Sequence, residues 1–467
     1  MRIQLVIGAA LVGMIIILIV GQALLQPDLP LIMDAAFSLS TITPNADGDA
    51  DVTTFSYSLS RNARVSLTFD ATDGASYIFR QDEARIADDY RVDFSGVVDG
   101  YLNDGEVIDG AVLRRLIPDG DYTWYLAATG EGGEQDARSG SLTVRDADAP
   151  LPRITTFSIW PDVFTPNQDG INDRTEINIY LEKDADLQVY LLGEDSTKIY
   201  VAEREESRDP GEAGRHRYDY EGGVDLDADP PPDGDYTVVA QAQDAEGQVI
   251  QRTGRLTIRD GGKPLAEIVP QNVGVDVVFA VQPYDERYFT AADAPGDLIA
   301  PPDDVQDDAA NTIQMPLGDM LVFKLTVENY GKAPIRTSGP PPGTVYQQAQ
   351  RAATFNAFDE AGAWRVGIDC STAATDYPWR WALGTDSDLV EEFDPYSGNT
   401  YHYLPAGQRV EVWGAVRMTE IQALNPQNCW AGLIHEFVEV SIWNTNVGSR
   451  EIFLIDPNAA AMRSGGD

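Results

Sequence analysis

The sequence predicts an all-β protein, in which tandem β-sandwich domains follow a single N-terminal transmembrane helix. Three observations predict it. Leu5–Leu25 is apolar and free of charge; the segments beyond it alternate apolar and polar residues in short runs separated by Gly, Asp and Pro; and one block of such runs occurs twice. A chain of 467 residues has room for about three domains. Hydrophobic residues make up 43% of it, enough to close a core in each. Acidic residues outnumber basic ones 75 to 33, giving a formal charge of -42. Such a surface repels nucleic acid and anionic headgroups, and suits divalent cations, basic partners or a salty exterior.

The helix comes first. Residues 1–4 form a short tail carrying Arg2 and the terminal amine. The 21 residues of Leu5–Leu25 hold no charge and no Pro. At about 1.5 Å per residue, a helix of about 20 residues crosses the hydrocarbon layer. Asp28 and Asp34 follow, and the first basic residue downstream is Arg61. The positive-inside bias therefore places residues 1–4 in the cytoplasm and the rest outside, at the cell membrane. A cleaved signal peptide is the competing reading. The apolar run is longer than a usual signal core of ~7–15 residues and no A-x-A site follows it, which favours an uncleaved signal anchor.

The duplicated blocks span residues 35–148 and 153–262. "ITPNADGDADVTTFSYSL" (Ile42–Leu59) aligns with "FTPNQDGINDRTEINIYL" (Phe164–Leu181). Phe55, Tyr57 and Leu59 then match Ile177, Ile179 and Leu181, and Val65, Leu67 and Phe69 match Leu187, Val189 and Leu191. "YRVDFSG" matches "HRYDYEG", "PDGDYTWYLAA" matches "PDGDYTVVAQA", and "GSLTVRD" matches "GRLTIRD". Period-two strands have one apolar face, and two sheets hide those faces against each other, so each block is read as a β-sandwich. In "PDGDY", Pro sets one φ and Gly takes a left-handed one to form a tight turn.

These motifs, in this order, resemble the Ig-like domain of the flagellar hook-capping protein family. The resemblance covers about half the chain, is closest in the second block, and departs from the family at Tyr220, where the family carries Trp. It implies two Ig-like repeats and implies nothing about a flagellar role.

The acidic turns have two readings. Asn45, Asp47, Asp49 and Asp51, and again Asn167, Asp169, Asn172 and Asp173, gather side-chain oxygens around a Gly, as a calcium site does. The Glu that would complete an EF-hand loop is missing. In the alternative, the Asx side chains bond their own backbone and start the next strand.

The remainder, residues 273–457, is read as a third β-sandwich with long loops, followed by a disordered tail over 458–467. Strands are expected in Val273–Gln282, Asp319–Ile335, Arg409–Met418, Phe437–Asn444 and Arg450–Asp456, and a loop in the acidic, Pro-rich Ala300–Asn311. "VFKLTVENYGKAPI" and "YLPAGQRVEVWGAVRM" loosely resemble adhesion-type Ig-like modules of bacterial surface proteins. Cys370 and Cys429 are expected to pair outside the cell, stabilising this domain by ~4 kcal/mol on a chain-entropy argument. Six of the eight Trp fall here. Trp379 and Trp381, on the predicted loop "DYPWRWAL", are the candidate contacts for a partner, and core packing is the alternative. No nucleophile elbow, zinc-protease helix or phosphate loop occurs. "HEF" heads a predicted strand, so its His and Glu point to opposite faces.

The expected function is that of a membrane-anchored extracytoplasmic structural and interaction protein. Its two repeats act as a stalk, and its last domain meets envelope or surface proteins or glycans. No enzymatic activity is expected, and calcium is the one candidate cofactor. The alternative is a membrane-tethered carbohydrate-binding or glycoside-hydrolase-associated subunit.

Overall fold

The computed structural model describes residues 29–204, 209–271, 274–283, 290–291, 311–440 and 444–456. The predicted transmembrane segment and the tail 458–467 lie outside the described residues. Among those described, no helix is long and apolar enough to cross a membrane. Among the described residues, regular structure is β-strand apart from two short 3-10 turns, Val224–Leu226 and Ala352–Phe355.

The two repeats fold alike. In the first, the strands Ile32–Phe37, Thr53–Leu59 and Asp89–Phe94 form one sheet. The other sheet runs Thr41–Ile42, Gln135–Val144, Gly120–Gly130, Ala63–Ala71 and Ser76–Arg85. In the second, Ile154–Trp160, Thr175–Leu181 and Gly214–Tyr220 face Val163–Phe164, Val249–Ile258, Gly234–Gln243, Asp186–Leu192 and Lys198–Tyr200. Both repeats share this strand order, including a short parallel pairing of the second strand with the last. It is the arrangement of an Ig-like sandwich. The aligned apolar triplets fill the cores as the alternation requires, with Leu187 alone left at the rim.

The motif "PDGDY" leads into the strands Gly120–Gly130 and Gly234–Gln243 and ties each to the end of the last strand of its sheet. Tyr122 donates its hydroxyl to the Pro118 carbonyl at 2.6 Å, and Tyr236 to that of Pro232 at 2.7 Å. This is the tyrosine corner seen in Ig-like folds. Asp119 accepts the backbone N–H groups of Asp146 and Ala147, and Asp233 those of Asp260 and Gly261. Asp146 and Asp260 sit at φ 53° and 50°, so the aspartate holds the end of the last strand in a left-handed bend. "PDGDY" and the later "RD" are thus one structural unit in each repeat.

One hairpin crosses the expected boundary. Val97–Asp99 and Ala111–Leu116 belong to the first repeat by sequence, yet Ala111–Leu116 pairs with Val249–Ile258 and extends the sheet of the second. Lys183 tightens this joint, reaching Asp148, Asp244 and Glu246 at 2.8, 2.9 and 2.9 Å. The buried Gln248 donates to the carbonyls of Asp148 and Pro150 and accepts from the Leu116 N–H.

The third domain begins earlier than expected, because Ala266–Val269 already pairs with Met320–Asn329. That sheet continues through Arg409–Arg417 and Thr344–Gln347. The facing sheet is centred on Gln427–His435 and Trp364–Cys370, two strands that were not expected; in the second, Trp364, Val366, Ile368 and Cys370 alternate with Arg365, Gly367 and Asp369, and the charged residues are buried as well. Cys370 and Cys429 stand directly opposite in this pair and form the disulfide. "HEF" closes the Gln427–His435 strand rather than heading a new one.

Trp379 and Trp381 are corrected from exposed loop to core. They lie on the strand Trp379–Ala382, 4% and 0% exposed. Trp381 packs edge-on against Phe323 and Tyr346 and donates its indole N–H to the Thr344 carbonyl at 3.0 Å. Its ring is too large and apolar to stay wet when two sheets need filling. Nearby, the fully buried Arg365 shares Glu436 with Arg380.

The corner predicts that Tyr122→Phe and Tyr236→Phe each cost about 1 kcal/mol. Urea denaturation should show near-equal losses for the two variants.

Candidate functional site

The two acidic turns are superposable in their bonding. In the first, Asp51 accepts the N–H groups of Asn45, Ala46 and Gly48 at 3.0, 2.9 and 2.6 Å. In the second, Asp173 accepts those of Asp169 and Gly170 at 3.1 and 2.7 Å. Asn45 and Asn167 each accept from the residue two places on, as do Asp47 and Asp169. Thr43 and Thr165 close each loop by donating to the carbonyls of Asp49 and Ile171. Three residues of each turn have positive φ: Ala46, Gly48 and Ala50, matched by Gln168, Gly170 and Asn172. Such a backbone needs acceptors in its interior, and the Asx side chains supply them.

This bonding bears on the calcium reading. The carboxylates of Asp51 and Asp173 and the side-chain oxygens of Asn45, Asp47, Asn167 and Asp169 are turned to backbone N–H groups. Asn172 donates its amide to Asp394 at 3.0 Å. Asp49 stands exposed. Among the described residues, no group of three or more His, Cys, Asp or Glu is placed to hold a metal ion. The eight residues fit a self-bonded turn and do not form a cation cage.

What differs between the turns is their surroundings. Asp47 and Asp49 are exposed, whereas Asn167 and Asp169 are 1% and 3% exposed. The second turn is plugged into the third domain. Arg336 donates its Nε–H to the Asp169 carbonyl at 2.6 Å, and Tyr403 its hydroxyl to Asp169 Oδ2 at 2.8 Å. His435 Nε2 meets the Gln168 carbonyl at 2.7 Å, and its ring stacks on Trp364 at 4.4 Å. Gly170 and Gly362 let the two backbones touch. A Cβ on Gly170 would lie 2.1 Å from the Ala361 oxygen, and one on Gly362 would lie 2.1 Å from the Asp169 carbonyl carbon. Alongside, Tyr396 donates to Asp162 at 2.6 Å and packs edge-on against Trp160.

Burial reverses the electrostatics of one motif. Exposed Asp51 is held below the usual carboxylate range by the N–H groups of Asn45 and Gly48. Its counterpart Asp173 is pushed up by burial, which outweighs the same kind of N–H donation. Asp169 is pushed up by burial and then by the charge of Asp173. Burial pushes His435 down to about 4, so its imidazole is neutral at pH 7 and must donate Nε2–H to the Gln168 carbonyl. The site is held by main-chain carbonyls that meet a neutral imidazole and a guanidinium, with Asp169 also accepting the Tyr403 hydroxyl. It contains no nucleophile with an adjacent base.

Arg336, Gly362, Asp394 and Tyr403, which form the socket, carried no local signal in the sequence. His435 stood out only as one of three His. Of the predicted site residues, the structure brings together Asn167, Asp169, Asn172 and Asp173 with the third domain. It leaves Asn45, Asp47, Asp49 and Asp51 as a separate surface turn.

No protein-family model matches this chain, and no curated protein matches it. Solved structures align over much of its length at low similarity. One is a calcium-stabilised, ice-binding adhesin of an Antarctic bacterium, at 12% identity over 89% of this chain and 72% of that one, with a TM-score of 0.21. Another is a tetra-tandem repeat from the extending region of a large adhesion protein, at 11% identity over 86% and 81%, with a TM-score of 0.17. A third is a pair of fibronectin type III domains from chicken tenascin, at 15% identity over 48% and 97%, with a TM-score of 0.16. Scores this low carry no argument about this chain, and its Ig-like character rests on its own strand order and tyrosine corners.

Two predictions follow from the plug. Gly362→Ala should destabilise the joint by well over 1 kcal/mol, since it combines a positive φ with a backbone clash. Gly48→Ala, with nothing within 4 Å, should cost only the strain of its φ. Chemical denaturation separates the two. The second concerns pH. Raised carboxylates weaken docking as pH climbs above their ordinary 3.8, while a depressed His435 weakens it as pH falls from 6.5 towards 4. Above about pH 6.5 the imidazole is neutral in both states, so only the carboxylate effect remains. Melting temperature should fall from pH 6.5 to pH 8, and Asp169→Asn should flatten that fall.

Proposed function

We propose that this chain is a membrane-anchored extracytoplasmic structural and interaction protein. Its two Ig-like repeats form a spacer that presents the third domain to a partner at the cell envelope or surface. It acts by binding and positioning rather than by turnover. The observation that carries this reading is the pair of polar joints. A hairpin strand fastens the first repeat to the second, and the acidic turn fastens the second to the third domain. Consecutive domains held by buried hydrogen bonds suit a spacer, which must transmit position.

The geometry of the first domain agrees with an anchor. Leu29 and Pro30 lie beside Ser60 and Arg61 at one end, whereas the Thr43–Asp51 turn lies at the other, where Pro44 accepts the N–H of Asp148 in the linker to the second repeat. A helix ending at Leu25 would therefore set the domains at increasing distance from the bilayer. The Cys370–Cys429 disulfide suits an oxidising exterior.

The test is topology on intact cells. Added protease should digest the third domain without lysis, and maleimide should label Cys370 and Cys429 only after reduction. A protected chain with free thiols would overturn the reading.

A further inference from the structure

A crevice of about 200 Å³ opens between the second and third domains, beside the plugged turn. Val163, Arg259 and Asp260 line it from the second domain, and Glu392, Phe393 and Tyr401 from the third. Phe393, in the lining, is 65% exposed, and Tyr396, also in the lining, meets the 65% exposed Trp160 at 5.9 Å. Large exposed rings in and beside one crevice mark a surface suited to contact.

Its carboxylates point to the kind of contact. Asp394 is satisfied by the N–H groups of Tyr396 and Ser397 and by Asn172. Asp162 receives the Tyr396 hydroxyl. Glu392 and Asp260 face each other from opposite domains, and among the described residues neither side chain has a hydrogen-bond donor or an ion-pair partner. Asp260 is half-buried and Glu392 exposed; desolvation at the crevice raises both, for Glu392 the charge of Asp260 adds to it, and Arg259 offsets only part. The crevice is thus short of positive charge, in a chain whose net charge is already -42.

A metal ion does not fit, because a hard cation wants six to eight converging oxygens and, among the described residues, no group of three or more His, Cys, Asp or Glu is placed to hold one. A guanidinium or ammonium on an apolar stem does fit, since it uses both the carboxylates and the ring faces. The protein itself sets such a pair here: the Arg336 guanidinium lies 5.3 Å from the centre of the Tyr401 ring.

We infer that this crevice receives a cationic side chain, the arginine or lysine of an exposed segment of a partner polypeptide, seated between Glu392 and Asp260 against Phe393. This rests on the presenting role proposed above and specifies the chemistry of the partner's surface.

The experiment uses the full chain in nanodiscs at 150 mM salt, with Trp fluorescence as the readout. The probes are capped Gly-Gly-Arg-Gly-Gly, its lysine analogue and its citrulline analogue, which keeps the shape and loses the charge. The arginine or the lysine peptide should bind saturably, and citrulline should not. Glu392→Gln and Phe393→Ala should each weaken binding about ten-fold. Asp229→Asn, the same charge change on an exposed loop, should leave it unaltered. No saturable binding overturns the inference, as does an equal loss in Asp229→Asn, which would reduce the effect to the general field. Binding of a neutral oligosaccharide that depends on Phe393, in place of the cationic peptides, overturns it in favour of a glycan. The topology test above is independent of all these outcomes, so either reading can fail alone.

Discussion

One carboxylate organises the joint on which the upper half of this protein depends. Asp173 gathers the backbone N–H groups at the head of its own turn, and that turn can then take three left-handed residues in a row of seven. With its N–H groups turned inward, its carbonyls turn outward. Those of Gln168 and Asp169 are the acceptors that His435 and Arg336 reach. The link between domains is therefore made mainly of main-chain atoms presented by a side chain that never leaves its own loop. Glycines on both sides allow the approach, and any Cβ there would meet backbone.

The first repeat shows that the motif and its use are separable. Asp51 makes the same hydrogen bonds in the same shape, but water covers its turn, and the joint beyond it is made by an inserted hairpin instead. Duplication supplied two identical ends. A strand insertion capped one and a complementary socket capped the other. The same aspartate is acidified where it is exposed and made less acidic where it is buried, so the desolvation imposed by the neighbouring domain outweighs the local donors.

The joint also creates the crevice. Because the turn seats Tyr403 and Asn172 at its floor, the lips carrying Asp260 and Glu392 are held facing each other. Neither domain alone would place Asp260 opposite Glu392 and Phe393, which ties the crevice to the integrity of the plug.

Much of the architecture was legible in the residues. The repeat, its alternating triplets and the "PDGDY" turns reflect local or period-two constraints that a linear reading can detect, and the cysteine pair was expected because the chain holds only two cysteines and an oxidising exterior pairs them. The Trp379–Trp381 segment stayed open between loop and core in the sequence, because a short, polar-flanked aromatic run looks the same in either place. The strands Trp364–Cys370 and Gln427–His435 were missed because Arg365, Asp369 and the mid-strand glycines Gly367 and Gly432 read as loop chemistry until the fold buries them. The shape of each acidic turn is set locally, since its hydrogen bonds close within nine residues. Whether a turn becomes a buried plug or stays a surface loop is set by the packed fold, because burial depends on Arg336, Gly362, Tyr403 and His435, which lie far along the chain and meet the turn only when the third domain has folded.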